Sequence, residues 1–312
     1  MSKLLVITKE CGVQQVNLLT FSMTTNINQE YSDFTGNIKK EEIIVSGVEW
    51  NYYTLGQGTE SFLILTGGGS IPEASFQYAN ALSKNYKVII PALPEVYTMA
   101  DCVEGVNQIL IQENISATNF LGFSMGGMIS QCFVRKYPDK VKNLIFFVSM
   151  LPSKAYAKKY TKYKKGISIV PKGVFKWISK RSITKQIMQD ADNSNPEIIK
   201  FWIDFFTWEF DSEEMNKNLL LANTDVLIDY FSNYSFTESD LNSWQGNILI
   251  IESDKDATIV KQERDRFKEV YSNAKLITQR NSGHFGDALL NPENLINEIY
   301  NFINPNAKSS EI

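Results

Sequence analysis

The sequence predicts an α/β protein built on a mostly parallel sheet. Three observations lead there. Short apolar runs of strand character alternate with helical stripes along most of the chain, and such alternation favours a parallel sheet. One run, Thr118-Asn119-Phe120-Leu121, turns sharply through Gly122-Phe123-Ser124-Met125-Gly126-Gly127 into a helical pattern that opens at Met128. A long segment, residues 152–242, then interrupts the alternation before it resumes with Asn247-Ile248-Leu249-Ile250-Ile251-Glu252.

Taken in order, residues 1–40 precede the regular pattern. A short strand fits residues 4–7, and residues 14–37 are rich in Thr, Asn, Ser and Gln without a clear period. This stretch reads as a surface arm, packed on the domain or partly disordered. Residues 42–55 alternate around Ser46-Gly47 and predict a hairpin. A strand at 62–65, a helix at 72–83 and a strand at 87–90 follow. The helix expected over 99–112 carries Cys102, Val106, Ile109 and Leu110 as one apolar stripe. Further strands fit 118–121, 144–148, 247–252 and 274–278, and a helix from about Pro292 runs through Leu295, Ile296, Ile299 and Phe302. No internal repeat is visible.

The turn at Ser124 fits G-x-S-x-G in a strand–turn–helix context, which gives the pattern a mechanical meaning. A serine held in a strained bend needs small residues two before and two after it, and Gly122 and Gly126 supply them. The following helix points backbone N–H groups and the positive end of its dipole at the serine. A serine hydroxyl is a poor nucleophile at neutral pH and needs an adjacent base. His284 is the only histidine in the chain, and it lies in a loop after a strand, Asn281-Ser282-Gly283-His284-Phe285-Gly286. Glycine before it gives the loop backbone freedom.

An acid is needed to orient the imidazole. Asp254 and Asp256 both leave the strand at 247–252, whereas the strand at 144–148 ends in Ser149-Met150-Leu151 with no carboxylate. Asp256 is preferred because it sits deeper in the loop; Asp254 reads as a turn residue bonded to its own nearby backbone. The order Ser, Asp, His then matches one of three familiar triad orders. His284 would take the Ser124 proton and later donate it to the leaving group, and Asp256 would fix the tautomer. Activity should therefore rise as His284 loses its proton.

Together, Leu65-Thr66-Gly67-Gly68-Gly69-Ser70, the Ser124 elbow, Asp256 and His284 resemble the α/β-hydrolases over residues 41–304. The resemblance implies an eight-stranded, mostly parallel sheet with helices on both faces, and acyl-transfer or related chemistry at the carboxyl ends of the strands. It also implies a helical cap inserted after the sixth strand. The organisation expected is an N-terminal extension (1–40), an α/β-hydrolase core (41–151 and 243–312) and a cap (152–242). The oxyanion hole would use the backbone N–H groups of Met125 and Gly68. Many members of the family have histidine before the first glycine of that loop; this chain has Thr66, whose hydroxyl could hydrogen-bond within the loop.

Ten lysines and one arginine, with no acidic residue, lie between Lys154 and Lys185, and an acidic run from Asp190 to Glu214 follows. One interpretation is attraction of an anionic substrate, carrier or membrane surface. The favoured one is a solvated face whose basic half pairs with its acidic half. The aromatic run from Phe201 to Phe210 is too apolar to be fully exposed. Phe123, Trp202 and Phe206 are the pocket candidates, for a substrate with an apolar acyl or alkyl part.

The 312 residues, 43% of them hydrophobic, suffice for one large domain with an insertion. A net charge of −4 shows no bias toward nucleic acid. No run of 18 apolar residues suggests a membrane span, and the first residues have too short an apolar stretch for a signal peptide. Cys11, Cys102 and Cys132 give no pairing framework, so a reducing, cytoplasmic setting is the simplest expectation. One histidine and three scattered cysteines argue against a metal site, and no cofactor is expected. The function expected is a serine hydrolase that cleaves a small or medium carboxylic ester or thioester through an acyl-enzyme. The alternatives are acyl transfer, carbon–carbon hydrolysis or lyase chemistry on the same triad, or ligand or partner binding without turnover. Nothing in the sequence fixes the oligomeric state.

Overall fold

The computed structural model describes residues 26–190, 194–212 and 216–305. The strand expected at 4–7, Cys11 and the first part of the polar stretch lie outside these residues. The end of that stretch forms helix α1 (Ile27–Asn37), capped by Asn26, whose side chain accepts the Asn28 N–H. Ile27 and Phe34 are buried, and Tyr31 packs edge-on against Phe76, Phe201 and Phe205. Positions 27, 31 and 34 form one helical face, a stripe diluted by polar neighbours until the contacts of the fold reveal it.

Strands β1 (Lys39–Val45) and β2 (Val48–Leu55) form the expected hairpin. Strands β3 (Ser61–Leu65), β4 (Lys87–Ala92), β5 (Thr118–Phe123), β6 (Val141–Phe147), β7 (Asn247–Ser253) and β8 (Lys275–Gln279) complete a sheet of eight in the order β1-β2-β4-β3-β5-β6-β7-β8. β2 joins β4 antiparallel, and every pairing from β4 through β8 is parallel. The burial patterns explain the order. All five residues of β3 are buried, as a central strand covered on both faces requires, whereas β1 alternates as an edge strand does.

Helices α2 (Phe76–Leu82), α3 (Met99–Gln112), α4 (Met125–Lys136) and α9 (Lys261–Val270) connect the strands, and α10 (Gly286–Leu290) and α11 (Glu293–Ile303) follow β8. The helix expected over 72–83 divides into a 3₁₀ turn (Pro72–Ser75) and α2. Ser75 Oγ donates to the Pro72 carbonyl at 2.7 Å, which satisfies that carbonyl locally and favours the tighter turn. Cys102 on α3 and Cys132 on α4 are free thiols, and burial pushes both well above the usual range.

Between β6 and β7 lie four helices, α5 (Lys154–Ile169), α6 (Lys172–Gln189), α7 (Pro196–Asp211) and α8 (Lys217–Asn233). α5 packs on α8 and α6 on α7. Basic and acidic parts of this insertion meet at Lys164–Asp225 (2.5 Å) and Lys180–Asp211 (2.6 Å). Lys158, Lys159, Lys162 and Lys165 are exposed and face no carboxylate among the described residues, so the pairing expected for the basic stretch is partial. Among the described residues no helix is long and apolar enough to cross a membrane.

Candidate active site

Ser124 stands at the junction of β5 and α4 with φ 49° and ψ −110°, a conformation that non-glycine residues rarely adopt. Close packing around the bend dictates its two glycines. A Cβ on Gly122 would lie 2.6 Å from the Gly127 backbone, and one on Gly126 would lie 2.1 Å from the Leu65 carbonyl oxygen. Gly126→Ala must therefore push α4 away from β3. A loss of at least ~2 kcal/mol in unfolding free energy is expected by denaturant titration; a variant as stable as the wild type would contradict this packing.

The three chemically distinctive side chains converge from separate strand ends. His284 Nε2 is 3.2 Å from Ser124 Oγ, and His284 Nδ1 is 2.7 Å from Asp256 Oδ2. Asp256, in the loop after β7, is buried, and its Oδ1 accepts the N–H groups of Thr258 (2.7 Å) and Ile259 (3.0 Å). Burial pulls its carboxyl upward. The hydrogen bond and charge of His284, with the two backbone donors, outweigh that pull and hold it below its usual range.

Asp254 takes no part in this cluster. The turn bonding expected of Asp254 belongs to Asp256, while Asp254 Oδ1 is buried without a hydrogen-bond partner among the described residues. The difference follows from placement: the N–H groups of Thr258 and Ile259 point back to position 256, two and three residues upstream.

The loop after β3 lies against the serine. A Cβ on Gly67 would be 3.6 Å from Ser124 Cβ, and one on Gly68 would be 3.9 Å from Met125 Sδ. The Gly68 carbonyl accepts the Asn223 Nδ2 donor of α8 at 3.0 Å, so a side chain of the insertion steadies this loop. Met125 is the first residue of α4, and an N–H at that position has no intrahelical acceptor. Thr66 departs from expectation. Its Oγ1 is buried and makes no hydrogen bond among the described residues.

Ser124 and His284 open onto a cavity of about 270 Å³. Ile71, Tyr78, Phe123 and Val148 line it from the sheet side, and Ile183, Phe206, Phe210 and Leu220 line it from the insertion. Phe123 and Phe206 are on its wall; Trp202 is not. Trp202 is fully buried, donates from Nε1 to the Leu289 carbonyl at 2.9 Å, stacks on Phe206 and meets the Phe76 ring at a tilt. One helical turn separates positions 202 and 206, but α7 is wedged between core and cavity, so position 202 faces α2 and α10 while 206 faces the void. Sequence reasoning missed Val148, whose positive φ of 43° is unusual for a β-branched residue, and Ile183 and Leu220, ordinary apolar helix positions. Among the described residues no group of three His, Cys, Asp or Glu side chains could hold a metal ion.

A family model described as the alpha/beta hydrolase fold matches residues 60–166, which include β3, Ser124 and β6. Solved structures share the architecture at low identity. A hydrolase from Pseudomonas aeruginosa superposes with a TM-score of 0.68 at 14% identity, covering 85% of this chain and 98% of its own. A carboxylesterase from Bacillus subtilis gives 0.60 at 16% identity, with coverage of 88% and 96%. A carboxylesterase structure from the thaumarchaeon Nitrososphaera gargenis gives 0.67 at 15% identity, covering 86% of this chain and all of its own (100%). No curated protein matches the sequence. The chain has the α/β-hydrolase fold: an eight-stranded, mostly parallel sheet flanked by helices.

Proposed function

We propose that the protein is a serine hydrolase acting on a small or medium carboxylic ester or thioester. The observation that carries this reading is the single hydrogen-bonded line from Asp256 through His284 to Ser124 Oγ, ending at a largely apolar cavity. Ser124 Oγ attacks the acyl carbon while His284 Nε2 takes its proton. The carbonyl π pair moves onto oxygen, where the N–H groups of Met125 and Gly68 stabilise the negative charge. Collapse expels the alcohol or thiol, which leaves with the proton from His284. Water then attacks the acyl-enzyme by the same route in reverse, releasing the acid. Asp256 keeps the imidazole proton on Nδ1 and stabilises the imidazolium.

The four-helix insertion acts as a cap that shapes the acyl site, and residues 41–151 and 243–305 form the core beneath it. At about 270 Å³ the cavity lies at the small end of ligand sites, which fits a short apolar acyl group. The test is labelling with a fluorophosphonate probe, the adduct located by peptide mass spectrometry, followed by esters and thioesters of graded chain length. Labelling confined to Ser124 supports the reading; a folded protein that neither labels nor turns over any of the series overturns it.

Phe206→Ala enlarges the acyl site without touching the reacting atoms. Its kcat/KM optimum is expected to move toward longer acyl chains, by a factor of ten or so on the longer esters relative to the shorter. An unchanged chain-length profile would place the acyl group elsewhere.

A further inference from the structure

Asp190, the residue that follows α6, reaches out of the insertion to the loop that carries His284. Its Oδ1 accepts the Gly283 N–H at 2.6 Å and its Oδ2 accepts the Gly286 N–H at 3.1 Å. The two donors flank His284 and Phe285, so one carboxylate holds both ends of the segment that presents the imidazole. Gly283 has no positive φ, and the backbone freedom expected of it is not what the position uses. A Cβ there would lie 2.7 Å from Asp190 Oδ2 and 2.9 Å from Oδ1, so glycine is required for the carboxylate to approach.

The clamping carboxylate is half-buried. Burial raises the Asp190 carboxyl above its usual range, the Gly283 and Gly286 N–H groups pull it down, and Asp287 and Asp256 push it up. Apart from those two backbone donors, the surroundings disfavour a charge at that place. The insertion grips the same segment nearby, through Trp202 Nε1 on the Leu289 carbonyl (2.9 Å) and Asn291 Nδ2 on Ser194 Oγ (3.3 Å).

We propose that Asp190 is a positioning residue for His284, making a competent base depend on the insertion being seated on the core. The proposal rests on the serine-hydrolase reading for its catalytic consequence, but not for its structural one. With the clamp made, two backbone N–H groups of the loop are satisfied and the imidazole is held between Ser124 and Asp256. With the clamp broken, those N–H groups turn to water, the loop gains freedom, and Nε2 drifts from Oγ. A displacement of the order of 1 Å at a reacting group costs on the order of a hundredfold in rate.

His284 is the only histidine of the chain, so its ring signals need no assignment. The experiment compares wild type, Asp190→Ala, Asp190→Asn, Gly283→Ala and the Asp190→Ala/Gly283→Ala double variant, each with ¹⁵N-labelled histidine. Three quantities are read: the low-field Nδ1–H resonance, the rate of fluorophosphonate labelling, and the thermal midpoint. In Asp190→Ala the resonance should broaden or vanish and labelling should slow by roughly tenfold or more in protein that is still folded at the assay temperature. Asp190→Asn keeps one acceptor and should recover part of both. Gly283→Ala should resemble Asp190→Ala, and the double variant should be little worse than either single one, because both break the same contact. A folded Asp190→Ala or Asp190→Asn with wild-type resonance and labelling rate overturns the proposal, as does a loss matching only the unfolded fraction. If the folded wild type neither labels nor turns over any of the esters and thioesters, the hydrolase reading fails while the Nδ1–H resonance still decides whether Asp190 holds the histidine.

Discussion

Ser124→Ala is expected to abolish covalent labelling and to lower kcat by a factor on the order of 10⁴–10⁶, and Ser124→Gly to do the same in a more stable protein. Among the described residues the Ser124 hydroxyl is the group hydrogen-bonded to His284 Nε2, so both variants remove the proposed attacking atom. They differ in backbone cost. At φ 49° and ψ −110° any residue with a Cβ is strained, whether serine or alanine, by roughly 1–3 kcal/mol, and glycine is not. Against that, glycine adds about 0.4–1 kcal/mol of entropy to the unfolded chain. The net expectation is a Ser124→Gly protein more stable than Ser124→Ala by about 1 kcal/mol, read from denaturant midpoints at equal m-values. Turnover retained by Ser124→Ala would refute the nucleophile assignment. Equal stability of the two variants would show that the bend relaxes once the hydroxyl is gone.

Asp256→Asn is expected to cost on the order of 10⁴ in kcat with little change in KM. The reason is the number of hydrogen bonds converging on the carboxylate. Oδ1 faces two backbone N–H groups and Oδ2 faces the imidazole Nδ1. An amide must put its oxygen toward Thr258 and Ile259, since its NH₂ there would oppose two donors. The NH₂ then donates to Nδ1, the ring proton moves to Nε2, and Nε2 can no longer accept the Ser124 proton. The ¹⁵N spectrum of the sole histidine reports this tautomer directly; a proton that stays on Nδ1 would disprove the mechanism of the loss. The acid side carries a sign as well. Because the Asp256 carboxyl lies below its ordinary value of 3.8, the stability it contributes is fully present above that pH and is lost as pH falls below it toward the folded-state value. Asp256→Asn should therefore flatten the pH dependence of unfolding in that interval.

The site was legible wherever chemistry is tied to local chain geometry. A serine between two glycines at a strand-to-helix turn announces its own strain, and a lone histidine in a loop after a strand is conspicuous. Asp256 was separable from Asp254 by depth in the loop, although the turn bonding assigned to Asp254 proved to be its neighbour's. The polar stretch that ends in α1 hid a helix because three apolar positions among many polar ones gain meaning only when Phe76 and Phe201 stand opposite. Trp202 and Phe206 share a helix and a composition, so no periodicity told which would line the void.

The amino-acid sequence determined the alternation of strands and helices, the elbow at Ser124 and the candidacy of Asp256 and His284, because each depends on neighbours a few residues away. Tertiary structure alone decided how the insertion meets the core: Asn223 on the Gly68 carbonyl, Trp202 behind the cavity, and Asp190 astride the His284 loop. Those contacts join residues 87 to 155 positions apart. At such separations no local propensity or period links the partners, and only the packing of four helices on the strand ends brings them within hydrogen-bonding distance.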